Sequence, residues 1–192
     1  MTPIIKLTNL TFSVNSGEFI VIFGNNEQEK QRFFNLLSLI TTTNNYFLCG
    51  QNLAHLSKPK IIQLRNKKFG IISNDLAFIK TLSVLENVAL PLKYTGLKKS
   101  AQIAQADQIL RKNHFDSKAY YLPRHLSPIQ NQRALLARAL INNPQLILAN
   151  DPTKTLGSND AHIFIEDLAK LHAAGKTIII FTTNTNLIAY AS

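Results

Sequence analysis

Three short runs of apolar residues divide the chain, and each is rich in β-branched or aromatic side chains. They are Phe19–Phe23, which Gly24 ends, residues 146–149 and residues 178–181. A continuous apolar run without alternation is typical of a strand that is buried on both faces, as in a parallel sheet covered by helices. The pattern therefore predicts a sheet at the centre of the fold.

Segments with helical periodicity lie between these runs, at residues 32–40, 100–112, 130–141 and 159–172. Gly175 follows the last of them and suits a helix C-terminus, where a residue in the left-handed conformation closes the final turn. Alternation of strands and helices of this kind predicts an α/β domain. The chain shows no internal repeat, no low-complexity segment and no linker.

The composition favours one folded domain. A chain of 192 residues with 45% hydrophobic and 17% charged residues can bury a sizeable core. No apolar run reaches the roughly 18 residues that cross a bilayer, and residues 1–6 lack the pattern of a secretory signal. Cys49 is the one cysteine, and we expect it to be a small core residue because free cysteines are usually buried. These features favour a cytoplasmic location.

The formal net charge of +10 favours an acidic partner, either nucleic acid or the anionic inner face of a membrane. The basic residues are scattered rather than gathered in a tail, so an ordinary solvated surface explains them equally well. Nucleic acid is the less favoured partner, because the chain has no recognition motif and little interleaving of aromatic and basic residues. The five histidines lack the spacing of metal ligands.

The residues after the first apolar run stand where a phosphate-binding loop would begin. In the pattern G-x-x-x-x-G-K-[ST], Gly24 and Lys30 match, while Glu29 replaces the second glycine and Gln31 replaces the hydroxyl residue. Such a loop binds phosphate with backbone N–H groups at a helix N-terminus. The candidate nucleotide-binding residues are Gly24, Asn25, Asn26, Glu27, Glu29, Lys30, Gln31 and Arg32.

Four further segments follow in an order and spacing that belong to one protein family. They read LSVLENVALPL at residues 82–92, LSPIQNQR at 126–133, ARAL with NP at 137–144 and LILANDPT at 146–153. Together with the loop they resemble the ATP-binding subunits of ABC transporters. Residues 64–72 and 185–188 look most like the branch that contains MacB, LolD and the cell-division protein FtsE, and FtsE in particular.

The resemblance implies a fold. ABC nucleotide-binding domains are P-loop NTPase-like, with a mostly parallel sheet flanked by helices and a helical subdomain that carries the signature sequence. We expect one domain over residues 1–192, with its core at approximately 1–73 and 143–192 and the helical subdomain at approximately 74–142. The similarity begins near residues 6–17, so we expect the chain to be truncated at both ends relative to the family, without the preceding strand and the aromatic residue that stacks on adenine.

The resemblance also implies cofactors and partners. Members of the branch use ATP with Mg²⁺ and sit in pairs at the inner face of the cytoplasmic membrane beneath a permease, which for FtsE is FtsX. In the family the permease docks just after the Q-loop, a stretch that corresponds to residues 76–94 here. We expect an integral-membrane permease, a homodimer or a heterodimer with another ABC subunit, and contact with the anionic inner membrane surface.

The positions that the family uses for phosphate and metal depart from its pattern. Glu27 and Glu29 place carboxylates where a triphosphate would lie, and a like charge at ~4 Å costs about 1 kcal/mol in water and about 4 kcal/mol at an effective dielectric of 20. We expect these acids to satisfy the helix N-terminus and Lys30 to pair with a glutamate. Gln31 and Asn150 occupy the Mg²⁺ positions without the hydroxyl or carboxylate that the metal prefers.

The catalytic positions are altered in the same way. Asp151 stands where the family has the Walker B glutamate, and Asn74 stands at the Q-loop glutamine, each one methylene shorter. Thr183 stands at the switch histidine, and Gly157 replaces the D-loop aspartate. Each change alone could be tolerated, but together they leave no complete catalytic set.

The signature segment departs from the pattern independently. Ser127 and Gln130 remain as candidates for the signature contacts. Pro128 has no N–H group to offer a phosphate, and Ile129 crowds the approach. The family binds the γ-phosphate of the opposite subunit's ATP with backbone amides of this segment, so we expect that contact to be lost.

Two functions stay open from the residues alone. The first is a degenerate subunit with little or no ATP hydrolysis, which keeps the ABC scaffold in order to dock with a permease or a sister subunit. The second is a weak but genuine ATP-binding or ATPase subunit that uses Lys30, Asp151 and Ser127, helped by an intact partner in a heterodimer. We favour the first, because the substitutions affect every catalytic motif while the framework around each is kept.

Overall fold

The computed structural model describes residues 5–7, 12–41, 45–113, 115 and 118–190. His114 and the terminal residues 1–4 lie outside the described residues. The strands are β1 (Ile5–Leu7), β2 (Phe12–Val14), β3 (Phe19–Phe23), β4 (Tyr46–Leu48), β5 (Gln51–Asn52), β6 (Phe69–Ser73), β7 (Leu146–Asn150) and β8 (Thr177–Thr182). The α-helices are α1 (Glu27–Leu37), α2 (Lys58–Lys68), α3 (Val84–Ala89), α4 (Lys99–Lys112), α5 (Pro128–Leu140) and α6 (Ser158–Ala173).

A four-stranded parallel sheet lies at the centre of the fold, in the order β3-β8-β7-β6. Its side chains alternate between two separate apolar clusters. Ile147, Ala149 and Ile180 face α3 to α6, while Leu148 and Phe181 face α1, α2 and the smaller sheet. Both faces are covered, which is why the central strands read as continuous apolar runs. The predicted strands at residues 19–23, 146–149 and 178–181 are confirmed.

A second, antiparallel sheet in the order β2-β1-β4-β5 was not predicted. Its strands are two or three residues long, too short for a reliable alternating pattern. The turn between β4 and β5 contains Cys49 at φ 49° and Gly50 at φ 79°, the positive pair that a two-residue type I′ hairpin requires. The prediction that Cys49 is a core residue is wrong: the hairpin turn leaves it exposed.

The predicted helices all form, with their beginnings one to five residues earlier than the periodicity indicated. The largest shift is in α1, which begins at Glu27 because Asn26 caps it there. Ser83 and Ser127 form capping boxes at the starts of α3 and α5. Gly175 adopts φ 88° just after α6, as predicted, and its N–H donates to His172 O at 2.8 Å. Short polar caps are thus decisive for where the helices begin.

Helices α3, α4 and α5 pack against one another, and α5 also packs on β6. The buried carboxamide of Asn87 organises the loop before α3, since it accepts from Ile79 N at 2.7 Å and donates toward the carbonyls of Ile79 and Leu82. This arrangement agrees with a helical unit inserted between β6 and β7, although the proposed boundaries at residues 74 and 142 stay a prediction. Within the described residues, no helix is both long and apolar enough to cross a bilayer.

Gly70 allows α5 to approach the central sheet. A Cβ atom built on Gly70 would lie 2.8 Å from Ala139 O and 3.1 Å from Pro144 Cγ. We expect Gly70→Ala to lower the free energy of unfolding by about 1–3 kcal/mol through overpacking, measured by urea denaturation. Gly157→Ser is the control, because nothing lies within 4 Å of a Cβ at that helix N-cap, and it should change stability by less than about 0.5 kcal/mol. Equal losses in the two variants would contradict the close contact.

Candidate functional site

Most of the predicted site residues meet at one edge of the parallel sheet. Gly24, Asn74, Asp151 and Thr183 each come directly after the carboxyl end of a strand, β3, β6, β7 and β8 respectively. Parallel strands present their carboxyl ends on the same side, which is where open α/β sheets bind ligands. The sheet therefore assembles the phosphate-binding loop and three predicted catalytic positions in one place.

Lys30 is the central charge of this edge, and its side chain is almost wholly buried, with 1% exposed. Its Nζ donates to Asp151 Oδ2 in a short contact and lies 2.8 Å from Glu27 Oε2. The prediction that Lys30 pairs with a glutamate is confirmed, but the sequence analysis missed the second and more buried partner. Lys30 is thus neutralised by this chain's own carboxylates.

Asp151 uses both of its carboxylate oxygens. Oδ2 accepts from Lys30, and Oδ1 accepts from the backbone N–H of Thr183 at 3.2 Å. The residue adopts φ 44°, an uncommon left-handed conformation that aspartate tolerates better than most residues. The side chain is 10% exposed. At the Walker B glutamate position, Asp151 therefore serves an ion pair and a backbone contact instead of presenting a free carboxylate.

The N-terminus of α1 is closed by a side chain of the loop. Asn26 Oδ1 accepts from the backbone N–H groups of Gln28 at 3.0 Å and Glu29 at 3.2 Å. The expectation that Glu27 and Glu29 satisfy these groups was wrong, since a residue at the N-cap reaches them more directly than residues in the first turn. Two of the amides that a phosphate would contact are already occupied.

Glu27 has a different role, as an exposed bridge between two lysines. Its carboxylate accepts from Lys154 at 3.1 Å as well as contacting Lys30. The hydrogen bond from Lys30, followed by that from Lys154, lowers the pKa of Glu27 below its usual 4.5. The hydrogen bond that Lys154 donates to Glu27 in turn raises the pKa of Lys154. Gly24 is partly buried, while Asn25, Gln28 and Arg32 are exposed.

The two predicted metal positions hydrogen-bond to each other. Asn150 Nδ2 donates to Gln31 Oε1 at 2.7 Å, and Gln31 Nε2 donates to Asn35 Oδ1 at 3.0 Å. Asn150 Oδ1 is buried and has no hydrogen-bond partner. Mg²⁺ prefers carboxylates, phosphates and water in an octahedron, whereas this chain offers neutral carboxamides, and the carboxylate of the next residue, Asp151, is held by Lys30. The residues do not fit the metal, and no cluster of three or more acidic, His or Cys side chains capable of holding one occurs in the described part of the chain.

Asn74 joins this edge to the helical unit. Its Oδ1 accepts from Gln132 Nε2 at 3.0 Å, and Gln132 is almost completely buried in α5. Gln132 was not among the predicted site residues, although its position inside the LSPIQNQR segment was the signal that could have identified it. The Q-loop position therefore acts as a link between β6 and α5.

The signature residues form a closed unit of their own. Ser127 N donates to Gln130 Oε1 at 3.0 Å, and Gln130 N donates to Ser127 Oγ at 3.4 Å. Lys118 Nζ donates to the same Gln130 oxygen at 2.9 Å. The structure does not bring these residues to the loop at 24–31: no hydrogen bond or ion pair joins the two groups within the described ranges. The Ser127 amide is occupied before any ligand arrives.

We expect the buried pair of Lys30 and Asp151 to stabilise the fold. Lys30→Met leaves the Asp151 carboxylate buried without its cation, which should cost about 3–5 kcal/mol of unfolding free energy in urea denaturation. Lys154→Met is the matched control, because Lys154 is 60% exposed and also pairs with Glu27, and exposed pairs contribute less than about 1 kcal/mol. Lys30→Met with Asp151→Asn should regain much of the loss. Equal effects of the two single variants would reject the pair as a stabilising contact.

The lowered pKa of Glu27 predicts a pH dependence. Because the folded pKa lies below the unfolded value, the contribution of Glu27 to stability is present above 4.5 and is lost as pH falls through the folded pKa. Glu27→Gln should therefore flatten the acid limb of the unfolding free energy measured against pH, while leaving the curve shape near neutrality unchanged. An acid limb identical to that of the wild type would show that Glu27 is not coupled to the two lysines.

Several known proteins are similar in sequence to nearly the whole of this chain. It is 34% identical over 188 residues to the macrolide export ATP-binding/permease protein MacB of Mannheimia succiniciproducens, covering 97% of this chain and 29% of that protein. An ABC transporter ATP-binding protein of Thermotoga maritima is 29% identical over 184 residues, covering 95% of this chain and 79% of that one. The chain thus spans less than a third of the length of MacB.

Solved structures that resemble this chain lead to the same family as the sequence relatives. A dimeric structure of the ATP-binding cassette MJ0796 bound to ADP and Pi, in a post-hydrolysis state, has a TM-score of 0.80 and 28% identity, covering 94% of this chain and 82% of that one. The sequence profile of the ABC transporter family matches residues 7–154. The expected fold is confirmed, and the chain is shorter than the Thermotoga maritima protein and the MJ0796 cassette, of which it covers 79% and 82%. The chain belongs to the ABC transporter family as an ATP-binding domain.

Proposed function

We propose that this chain is a degenerate ABC subunit with little or no ATP hydrolysis, which shows no saturable binding of MgATP up to about 1 mM and works by docking to a membrane permease. The observation that carries the proposal is the buried contact of Lys30 with Asp151. In a phosphate-binding loop the lysine is the cation that meets the phosphates. Here that cation would have to leave two carboxylates, one of them buried, before it could contact a nucleotide.

The capped helix N-terminus supports the same conclusion. Phosphate binding at a helix start depends on free N–H groups and on the positive end of the helix dipole. The side chain of Asn26 occupies two of those groups, and the carboxylates of Glu27 and Glu29 oppose an incoming anion. At a few ångströms, each like charge costs about 1–4 kcal/mol depending on the effective dielectric.

The signature segment supports loss of the second half of a nucleotide site. The amide and hydroxyl of Ser127 are both engaged by Gln130 in the capping box, and Pro128 has no N–H group. A partner subunit's nucleotide would therefore find neither the Ser127 amide free nor an amide at Pro128 at the start of α5. This loss is independent of the loop at 24–31, because it affects a different helix.

A groove beside the altered site supports docking. It has a volume of about 580 Å³ and lies between α2, β6, the 3₁₀ turn at Leu90–Tyr94 and the end of α5. Arg138 forms one wall, where its guanidinium donates to Leu76 O and lies 5.1 Å from the centre of the Phe78 ring. Burial lowers the pKa of Arg138 to about 10, so it stays charged at neutral pH. Exposed Tyr94 and Ile62 offer apolar contact area at the groove.

The proposed partner is a permease of the kind that MacB relatives combine with an ATP-binding domain, placed at the inner face of the membrane. An FtsX-type permease in cell division is the more specific form, and it rests on residues 64–72 and 185–188 alone. The dimeric relatives support a pair of ABC subunits, either identical or with an intact sister.

The ADP-bound relative favours a second candidate function, weak nucleotide binding, which the calorimetry described next also tests.

We expect calorimetry to detect no saturable binding of MgATP at about 1 mM nucleotide, the range of a binding free energy near −4 kcal/mol. ATP turnover should be equal in the wild type and in Lys30→Ala. A restored variant that combines Glu27→Gly, Glu29→Gly, Gln31→Ser, Asn150→Asp and Asp151→Glu should gain MgATP binding. The control carries Glu27→Gly and Glu29→Gly only; it keeps the buried pair and should not bind. Saturable binding by the wild type would reject the proposal.

A further inference from the structure

The positive charge of this protein is concentrated in two stretches that lie side by side. α2 and residues 90–99 contain eight of the 21 lysines and arginines and none of the 11 acids. Asn66 Nδ2 donates to Pro91 O at 2.8 Å, which ties the two stretches together. Six of their lysines are exposed and form no salt bridge with a described residue. We call these six the basic rim: Lys58, Lys60, Lys67, Lys93, Lys98 and Lys99.

The two other cations of these stretches are already engaged. Arg65 is half-buried, with a lowered pKa caused by desolvation, and Lys68 Nζ donates to Gln145 Oε1 at 3.1 Å. Two acids lie nearby: Asp75 lines the groove, and the carboxylate of Glu86 accepts from Ser83 and is attracted more weakly by Lys99 and Lys93. Six exposed lysines against two acids leave an excess of positive charge on the two stretches.

Exposed apolar groups accompany these lysines. Tyr94 is 69% exposed and Ile62 is 45% exposed, and both lie on the same two stretches as the lysines and line the groove. An exposed tyrosine among flexible lysines suits the boundary between water and lipid, because the ring can enter the headgroup layer while the ammonium groups stay hydrated. A site for single-stranded nucleic acid combines its cations with several aromatic stacking platforms, whereas here Tyr94 is the one exposed aromatic side chain of the two stretches.

We propose that the basic rim, together with Tyr94 and Ile62, contacts anionic phospholipid headgroups directly. The inference rests on the proposed function in one respect, because a permease segment docked in the groove would turn the rim toward the bilayer. Attraction of one lysine to an anionic membrane surface corresponds to about a fivefold gain in affinity. Several such lysines give reversible binding that weakens with salt.

The first experiment is flotation of the full chain with vesicles of phosphatidylcholine, with or without phosphatidylglycerol. Binding should require phosphatidylglycerol and should fall by about 20-fold in Lys60→Gln/Lys67→Gln. The matched control is Lys112→Gln/Lys170→Gln, which removes the same charge from two exposed lysines that line another cleft. It should lose less than about threefold, the effect of net charge alone. Equal losses in the two double variants would overturn a localised lipid surface.

The second experiment uses the absence of tryptophan from the chain. Tyr94→Trp introduces a single reporter, whose emission should shift to shorter wavelength when anionic vesicles are added. Tyr120→Trp is the control, because Tyr120 is 75% exposed in the segment before α5, and its emission should stay unchanged. No shift in Tyr94→Trp, or the same shift in both variants, would contradict the proposal.

These assays contain neither permease nor nucleotide, so their failure is separable from failure of the proposed function. Absent vesicle binding would remove the lipid contact and leave the MgATP result as it stands. Saturable MgATP binding with vesicle binding intact would reject the degenerate subunit and keep the lipid surface. Binding of duplex DNA in place of vesicles, abolished by Lys60→Gln/Lys67→Gln, would replace the lipid proposal with nucleic acid.

Discussion

The contact between Lys30 and Asp151 determines what the rest of this site can do. It joins the start of α1 to the end of β7, two segments 121 residues apart in the chain, in a position where a lysine side chain is almost wholly buried. A buried cation is tolerated only when it is paired. Since the pair satisfies Lys30 from within the chain, the loop can be stable without a phosphate, and a phosphate has to compete with a carboxylate that is already in place.

The same principle extends over the neighbouring positions. Helix starts leave unsatisfied N–H groups, which ligands or side chains can occupy. In this chain Asn26 caps α1, and Ser127 with Gln130 caps α5. The side-chain amide of Asn150 donates a hydrogen bond to that of Gln31, and the side chain of Gln132 donates one to Asn74. The polar groups at these motif positions therefore satisfy most of one another's hydrogen bonds, which preserves the scaffold.

The proposed docking groove lies beside the nucleotide positions, since Asp75 and Leu76, which follow Asn74, line it. The groove lies where β6 and α5 meet α2, and the close approach of α5 to the sheet depends on the absence of a side chain at Gly70. Arg138 stays charged there although burial lowers its pKa. The basic rim lies on α2 and on residues 90–99, and residues of both stretches line the groove, so the proposed permease site and the proposed lipid contact use the same elements. A subunit without ATP chemistry would still present both.

The sequence by itself determined the fold class, three of the four strands of the described parallel sheet, four of the six described α-helices and the family, because continuous apolar runs, helical periodicity and collinear motifs are local properties of the chain. It also identified which residues occupy each motif position and that Lys30 pairs with a glutamate, which is Glu27, one helical turn away. It did not reveal the short antiparallel sheet, the exposure of Cys49, or the partners Asp151 and Gln132. The partners depend on contacts between residues far apart in the chain, which only the folded sheet and helices bring within hydrogen-bonding distance. The short strands and the turn at Cys49 span too few residues for a periodic pattern.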